Sequence, residues 1–157
     1  MNKAFKYRIY PTPKQEILIN KTFGCVRFVY NKMLASRQEI YEKHKDNKEE
    51  LYKQKCLLPA DFKKEYEWLK EVDSLALANA QMNLQSAYKN FFRDNSVGFP
   101  KFKSKHRSKK TYTTNNQSGT IRLIDDNLLR LPKLKDVRIN LHRLLPQNAV
   151  IKSATIS

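Results

Sequence analysis

Only 3 of the 157 residues are glycine, and Gly24, Gly98 and Gly119 lie too far apart to form a glycine-rich loop that cradles phosphate. Cysteine is equally scarce. Cys25 and Cys56 stand 31 positions apart with no CxxC pair, and His44, His106 and His142 are scattered, so neither a zinc site nor a disulfide framework can be written. Cys25 is expected to face a core. No apolar run approaches the roughly 18 residues that span a bilayer, and no basic amphipathic helix with a Trp or Phe stripe stands out. A membrane partner is therefore not expected. The opening MNKAFKYRIYPTPKQ lacks the apolar centre of a signal peptide, which points to a cytoplasmic location. Paired carboxylates are missing too: Asp61, Asp73, Asp94, Asp125, Asp126 and Asp136 fall in caps, turns or helix surfaces, and no two occupy alternating strand positions as a two-metal site would need. No catalytic residue, metal ligand or cofactor site is called.

Negative charge is the other shortage. There are 15 Asp and Glu against 31 Lys and Arg, a formal net charge of +16. An excess of this size makes a polyanion the default partner. It is unevenly spread: residues 1–95 carry 18 basic and 12 acidic side chains, whereas residues 96–157 carry 13 and 3.

Residues 3–10, KAFKYRIY, alternate strictly and predict a half-buried strand whose outer face carries Lys6 and Arg8, with Lys3 at its start, and these three cations are expected to contact nucleic acid. Thr12-Pro13-Lys14-Gln15 supplies an N-cap, a proline at the first helical position and a capping-box glutamine. The helix it starts runs to about Tyr41, with Leu18, Thr22, Cys25 or Val26, Val29, Met33 and Ile40 at helical spacing, and Gly24 marking a bend or a close backbone approach. Residues 43–56 read as a helix end and connector. Pro59 opens a further helix in which Phe62, Tyr66 and Leu69 share a face, with Trp68 expected in the core beside them. Asp73 or Ser74 caps the next, whose stripe is Leu77, Ala80 or Gln81, Leu84, Tyr88 and Phe91.

The pattern changes at residues 94–98 to short β runs at 111–114, 120–124, 128–132, 137–142 and 150–157, with Asp125-Asp126-Asn127 as a hairpin turn. The fold class is α+β: residues 1–11 and 95–157 form one sheet or barrel of about six strands, interrupted by a helical bundle of three to four helices over residues 12–94.

Two segments carry the binding chemistry. In residues 101–110, Lys101, Lys103, Lys105, Arg107, Lys109 and Lys110 are interleaved with Phe102 and preceded by Phe99. Clustered cations neutralise phosphates, while the aromatics either stack on bases or anchor the loop. Directly after it, Thr114, Asn115 and Asn116 offer hydroxyl and amide groups suited to base edges, although a polar turn uses the same residues.

The blocks KAFKYRIYPTPKQ, FGCVRFVYNKML, YEWLKEVDSLAL, AYKNFF, GFPKFKSK, YTTNN, LRLPKLKDVRI and IKSATIS, in this order, resemble TnpB, also called OrfB, the RNA-guided DNA nucleases of insertion sequences related to type V CRISPR effectors. The resemblance runs through the whole chain. It implies a wedge-type β-barrel interrupted by a helical recognition lobe that grips a structured guide RNA and reads a short motif beside the DNA target. The positions matching the motif-reading surface are Tyr52, Ser74, Leu75, Ala78, Thr114 and Asn115, of which Ser74, Leu75 and Ala78 are short or apolar. A full member continues into an RNase-H-like nuclease domain with three catalytic acids and a cysteine zinc finger. The 157 residues contain neither, so the expectation is a nucleic-acid-binding module truncated before the nuclease and not catalytic alone. Its partners would be structured guide RNA and duplex or single-stranded DNA; no oligomeric state is indicated. One rival is a helix-turn-helix DNA binder using the Ser74–Arg93 helix in the major groove, although LALANAQMNLQSA there has no Lys or Arg for phosphates. The other is a ribosome-type structural RNA binder.

Overall fold

Thr12 starts the longest element. In the computed structural model, which describes residues 1–157, its hydroxyl accepts the Gln15 amide N–H, and the Gln15 side-chain oxygen accepts the N–H of Thr12 at 2.9 Å. This is a full capping box with Pro13 at the first helical position. Helix α1 then runs without interruption over Pro13–His44 and buries Ile19, Thr22, Cys25, Val26, Val29, Tyr30, Met33 and Leu34. Gly24 neither breaks it nor admits a close neighbour: a Cβ there would meet nothing within 4 Å. The close backbone approach expected there is thus corrected, because no neighbouring element comes near Gly24.

Residues 43–56 hold a short helix of their own, α2 (Lys48–Lys53), capped by the side chain of Asn47. After α3 (Pro59–Glu65), the single helix expected through residue 72 is broken at Tyr66, and Glu67–Glu71 form a tighter 3-10 turn. Leu69 is buried on that turn, but Trp68 is 44% exposed, which corrects its placement in the core. Trp68 instead edges against Phe28 and Tyr66 (centroids 4.8 and 5.9 Å) at the surface. Asp73 caps α4 (Ser74–Arg93), whose Ala76, Leu77, Ala80 and Leu84 pack into the same core as α1. Gly98, with φ +82°, turns the chain out of the helical part through a left-handed conformation that glycine adopts without strain.

The six strands form two antiparallel sheets and not one closed, hydrogen-bonded cylinder. Strands β1 (Arg8–Tyr10), β5 (Lys135–Asn140), β4 (Leu128–Leu131) and β3 (Arg122–Asp125) make a four-stranded sheet in that order; β2 (Tyr112–Asn115) and β6 (Ser153–Ile156) make a two-stranded one. The β3–β4 hairpin turns at Asp125, whose carboxylate accepts the N–H groups of Asn127 and Leu128. The first strand is shorter than its alternation predicts. Arg8 pairs opposite Asn140, the last residue of β5, so Lys3–Tyr7 lie beyond the partner strand and form no ladder. The alternation of residues 3–7 records which side chains face the protein, and a strand also needs a neighbour.

Helix and sheet meet at Gln15. Its side-chain nitrogen donates to the carbonyls of Leu134 and Asp136 at 3.1 and 2.8 Å, so one amide caps α1 and fastens the β4–β5 turn to it. Leu131, Leu134 and Val137 join the helical core beneath this contact. Gln15→Ala is expected to lower stability by about 1–3 kcal/mol. Gln15→Glu, which keeps the cap but cannot donate to the two carbonyls, should recover only part of that loss in urea unfolding.

Candidate nucleic-acid interface

An amide on α1 fastens the backbone of the basic loop. Asn31, on the flank of α1, donates from its side chain to the Lys103 carbonyl and accepts the Lys103 N–H, both at 2.8 Å, as a neighbouring strand would. Residues 104–108 close on themselves through Ser104 and Ser108. The loop thereby lies along α1, and the two enclose a small cleft lined by Arg27, Lys103, Ser104, Ser108, Lys109 and Lys110. Arg27 was not singled out from the sequence; the available signal was a cation following two buried residues, Cys25 and Val26, on the same helix.

The six loop cations are not equivalent. Lys101, Lys105, Arg107, Lys109 and Lys110 are exposed. Lys103 is half-buried with its ammonium 4.4 Å from the Tyr30 ring centroid, and burial holds it below the usual lysine range. Its side chain anchors the loop as a cation–π contact. The aromatics also divide. Phe99 packs edge-on against Tyr88 and Phe91, centroids 5.5 and 5.4 Å, and so anchors the loop; Phe102 is 52% exposed and makes no ring contact.

Charge pairing sharpens the contrast between the halves of the chain. Lysines 21, 43, 45, 53, 64 and 70 each sit within 4.0 Å of a Glu or Asp, five of them one helical turn away. None of the six loop cations forms an ion pair. Beyond the helices the only pair is Arg130–Asp136, where the guanidinium donates to both carboxylate oxygens at 2.8 and 3.0 Å and draws the Asp136 pKa below its usual range.

The second expected surface comes together where the start of α4 packs on β2. Ser74, Leu75 and Ala78 lie in the first turns of α4, and Asn79 donates to the carbonyls of Leu75 and Thr113 and to the side-chain oxygen of Asn115 at 2.9, 3.0 and 2.6 Å. Asn79 is the residue that sequence reading missed, since an Asn inside a helix looks like a solvated position. Thr114 is buried, and its hydroxyl donates to the Asp73 carboxylate. Asn116 is also committed inside the fold: its amide donates to the Ile151 carbonyl at 2.8 Å and accepts the Ile121 N–H at 3.0 Å. Of the polar run, Asn115 alone is exposed. Tyr52 lies apart on α2, 85% exposed, and Lys3 and Lys6 are exposed on the unpaired N-terminal segment, while Arg8 stands on β1.

Across the whole chain, no group of three or more His, Cys, Asp and Glu side chains converges to hold a metal ion, and no helix is long and apolar enough to cross a membrane.

Comparison with known proteins bears on what this geometry serves. A family model described as a helix-turn-helix domain, that of OrfB of the IS605 group, matches residues 1–46. A putative RNA-guided DNA endonuclease of Streptomyces pristinaespiralis is 34% identical over 100% of this chain and 38% of its own length. The putative RNA-guided DNA endonuclease InsQ of Escherichia coli K12 is 31% identical over 99% of the chain and 37% of its length. Virulence protein VsdF of Salmonella dublin is 41% identical over 68% of the chain and 96% of its own length. The chain belongs to the OrfB/TnpB family. It spans little more than a third of the two endonucleases it matches. Over the residues matched by the OrfB model, the structure consists of β1 and the single helix α1.

Two outcomes are expected for the OrfB/TnpB scaffold itself. Thr114→Val should cost about 1.5–3 kcal/mol, because it removes a hydrogen bond to a buried carboxylate, whereas Asn115→Ala should cost well under 1 kcal/mol. Asn31→Ala should speed hydrogen exchange of the Lys103 amide, whose only partner is the Asn31 oxygen, while leaving the α1 amides near Val29 slow.

Proposed function

We propose that this chain is the nucleic-acid-binding part of a TnpB-like transposon protein, holding a structured guide RNA and the DNA beside its target. Its two sheets are read as parts of a wedge-type barrel, and residues 12–94 as the helical recognition lobe inserted between its first and second strands. The observation that carries the reading is the unpaired cationic loop, fixed at Asn31 and Phe99, whereas six lysines of the helical part, Lys21, Lys43, Lys45, Lys53, Lys64 and Lys70, each lie beside an acid. The names of the two endonuclease relatives support RNA and DNA as partners. In this reading the exposed loop cations grip phosphates and carry no sequence information. Asn115, oriented by Asn79, reads a base edge, and Thr114 and Asn116 act by positioning it. Ser74, Leu75 and Ala78 give the nucleic acid a close, mostly apolar approach beside it. Arg27 adds a cation to the loop cleft.

The test is a salt titration of RNA and duplex DNA binding. Changing Lys101, Lys105 and Arg107 to Ala should flatten the slope of log affinity against log salt by about two units, since each lost phosphate contact is worth about 0.7–0.9. Lys103→Ala should leave the slope nearly unchanged. Asn115→Ala should keep the slope and relax preference at one base position by roughly 1–3 kcal/mol. A triple variant with the wild-type slope would remove the loop from the binding surface.

The chain is further read as non-catalytic by itself. Purified protein should not cut single- or double-stranded DNA in Mg²⁺; cleavage abolished by EDTA and retained through further purification would refute this.

A further inference from the structure

The strand register gathers a third set of side chains, away from both the loop and the α4–β2 seam. Arg8 stands opposite Asn140, Tyr10 and Leu128 opposite Arg138, and Arg122 opposite Arg130. Directly opposed residues project to the same side of a sheet, so Arg8, Tyr10, Arg122, Arg130, Arg138 and Asn140 share one face. The other face carries Ile9, Leu129, Val137 and Ile139 toward the interior. Tyr10 is 46% exposed, and the guanidinium carbons of Arg8 and Arg138 lie 5.8 and 5.9 Å from its ring centroid. Arg130 is occupied by Asp136, but Arg8, Arg122 and Arg138 form no ion pair. A tyrosine with two unpaired cations held beside it therefore stands on an open sheet face whose Asp136 is taken up by Arg130.

We propose that this face binds an unpaired stretch of RNA, lodging a base against Tyr10 and flanking phosphates against Arg8, Arg138 and Arg122. The proposal rests on the nucleic-acid-binding reading above and adds a surface to it. A duplex shows a protein only the edges of its bases, whereas an unpaired strand offers the π face that an exposed ring can meet. Guanidiniums held over the ring are pre-positioned beside any base that settles there, at little further loss of side-chain freedom. The Asn140 amide oxygen and the Tyr10 hydroxyl supply acceptors for a ribose 2′-hydroxyl, which favours RNA over DNA.

The experiment is fluorescence-anisotropy binding of the intact chain to labelled oligouridine, to the matching deoxy-oligonucleotide and to a duplex DNA, across a range of salt. Tyr10→Leu should weaken oligouridine binding about tenfold or more with little change in salt slope, and Tyr10→Phe should keep most of the affinity. The double variant Arg8→Gln, Arg138→Gln should flatten the oligouridine slope by about 1.4. Neither Tyr10→Leu nor the double variant should shift duplex affinity by more than about twofold at moderate salt. All of these side chains lie on the outer face, so thermal unfolding should stay near wild type; if Tyr10→Leu does not fold, the arginine pair and Tyr10→Phe decide. The proposal is overturned if both Tyr10→Leu and the arginine pair bind oligouridine as wild type does, or if the deoxy-oligonucleotide binds as tightly as the RNA. Wild-type protein that binds none of the three nucleic acids would bring down the function proposed above as well, whereas intact wild-type binding with unaltered variants would bring down only this surface.

Discussion

The buried carboxylate of Asp73 is the contact on which the arrangement of helices and strands depends. One of its oxygens accepts the Leu75 N–H and caps α4; the other accepts the Thr114 hydroxyl from β2. A carboxylate out of water is tolerated only when its lone pairs are filled, and here they are filled from two elements about 40 residues apart in sequence. Helix start and strand are thereby held in one relative position. Asn79 extends the seam by one turn of α4, reaching Thr113 and Asn115, and β6 pairs along the other edge of β2. Asn115 is thus exposed at a fixed place because Asp73, Thr114 and Asn79 are not.

The same logic of polar side chains acting as structural fasteners recurs at Gln15 and Asn31 on α1. Each is an amide, able to donate and accept at once, and each ties the helix to backbone that has no ladder partner there: the β4–β5 turn for Gln15, the basic loop for Asn31. A loop so rich in cations would otherwise move apart by mutual repulsion. Fixing its backbone at Lys103, and its entry through the packing of Phe99 on Tyr88 and Phe91, keeps the charges clustered before any partner arrives.

Charge is organised by element. Five lysines of the helical part have a Glu or Asp one turn away, which offsets part of that half's positive charge. None of the six loop cations forms an ion pair, and on the outer sheet face Arg8, Arg122 and Arg138 are likewise unpaired, so these two places hold clustered free cations.

What the sequence determined by itself was local. The capping box at Thr12, the buried spacing of α1 and α4, the Asp125 hairpin and the concentration of charge in residues 101–110 all follow from rules that act within one turn or one strand, and so could be read from neighbouring residues. The ordered blocks also carried the family resemblance. Tertiary structure decided the rest, because the deciding partners lie far along the chain. The first strand is three residues long because β5 ends opposite Arg8, and Trp68 is at the surface because the helix breaks at Tyr66. Thr114, Asn115 and Asn116 look alike as sequence, yet one is buried against Asp73, one exposed beside Asn79 and one bonded to Ile151; only the position of α4 and the strand leading into β6 separates a fastener from a surface group. Lys103 differs from its five neighbours for the same reason: Tyr30 and Asn31, about five turns into α1, lie under it.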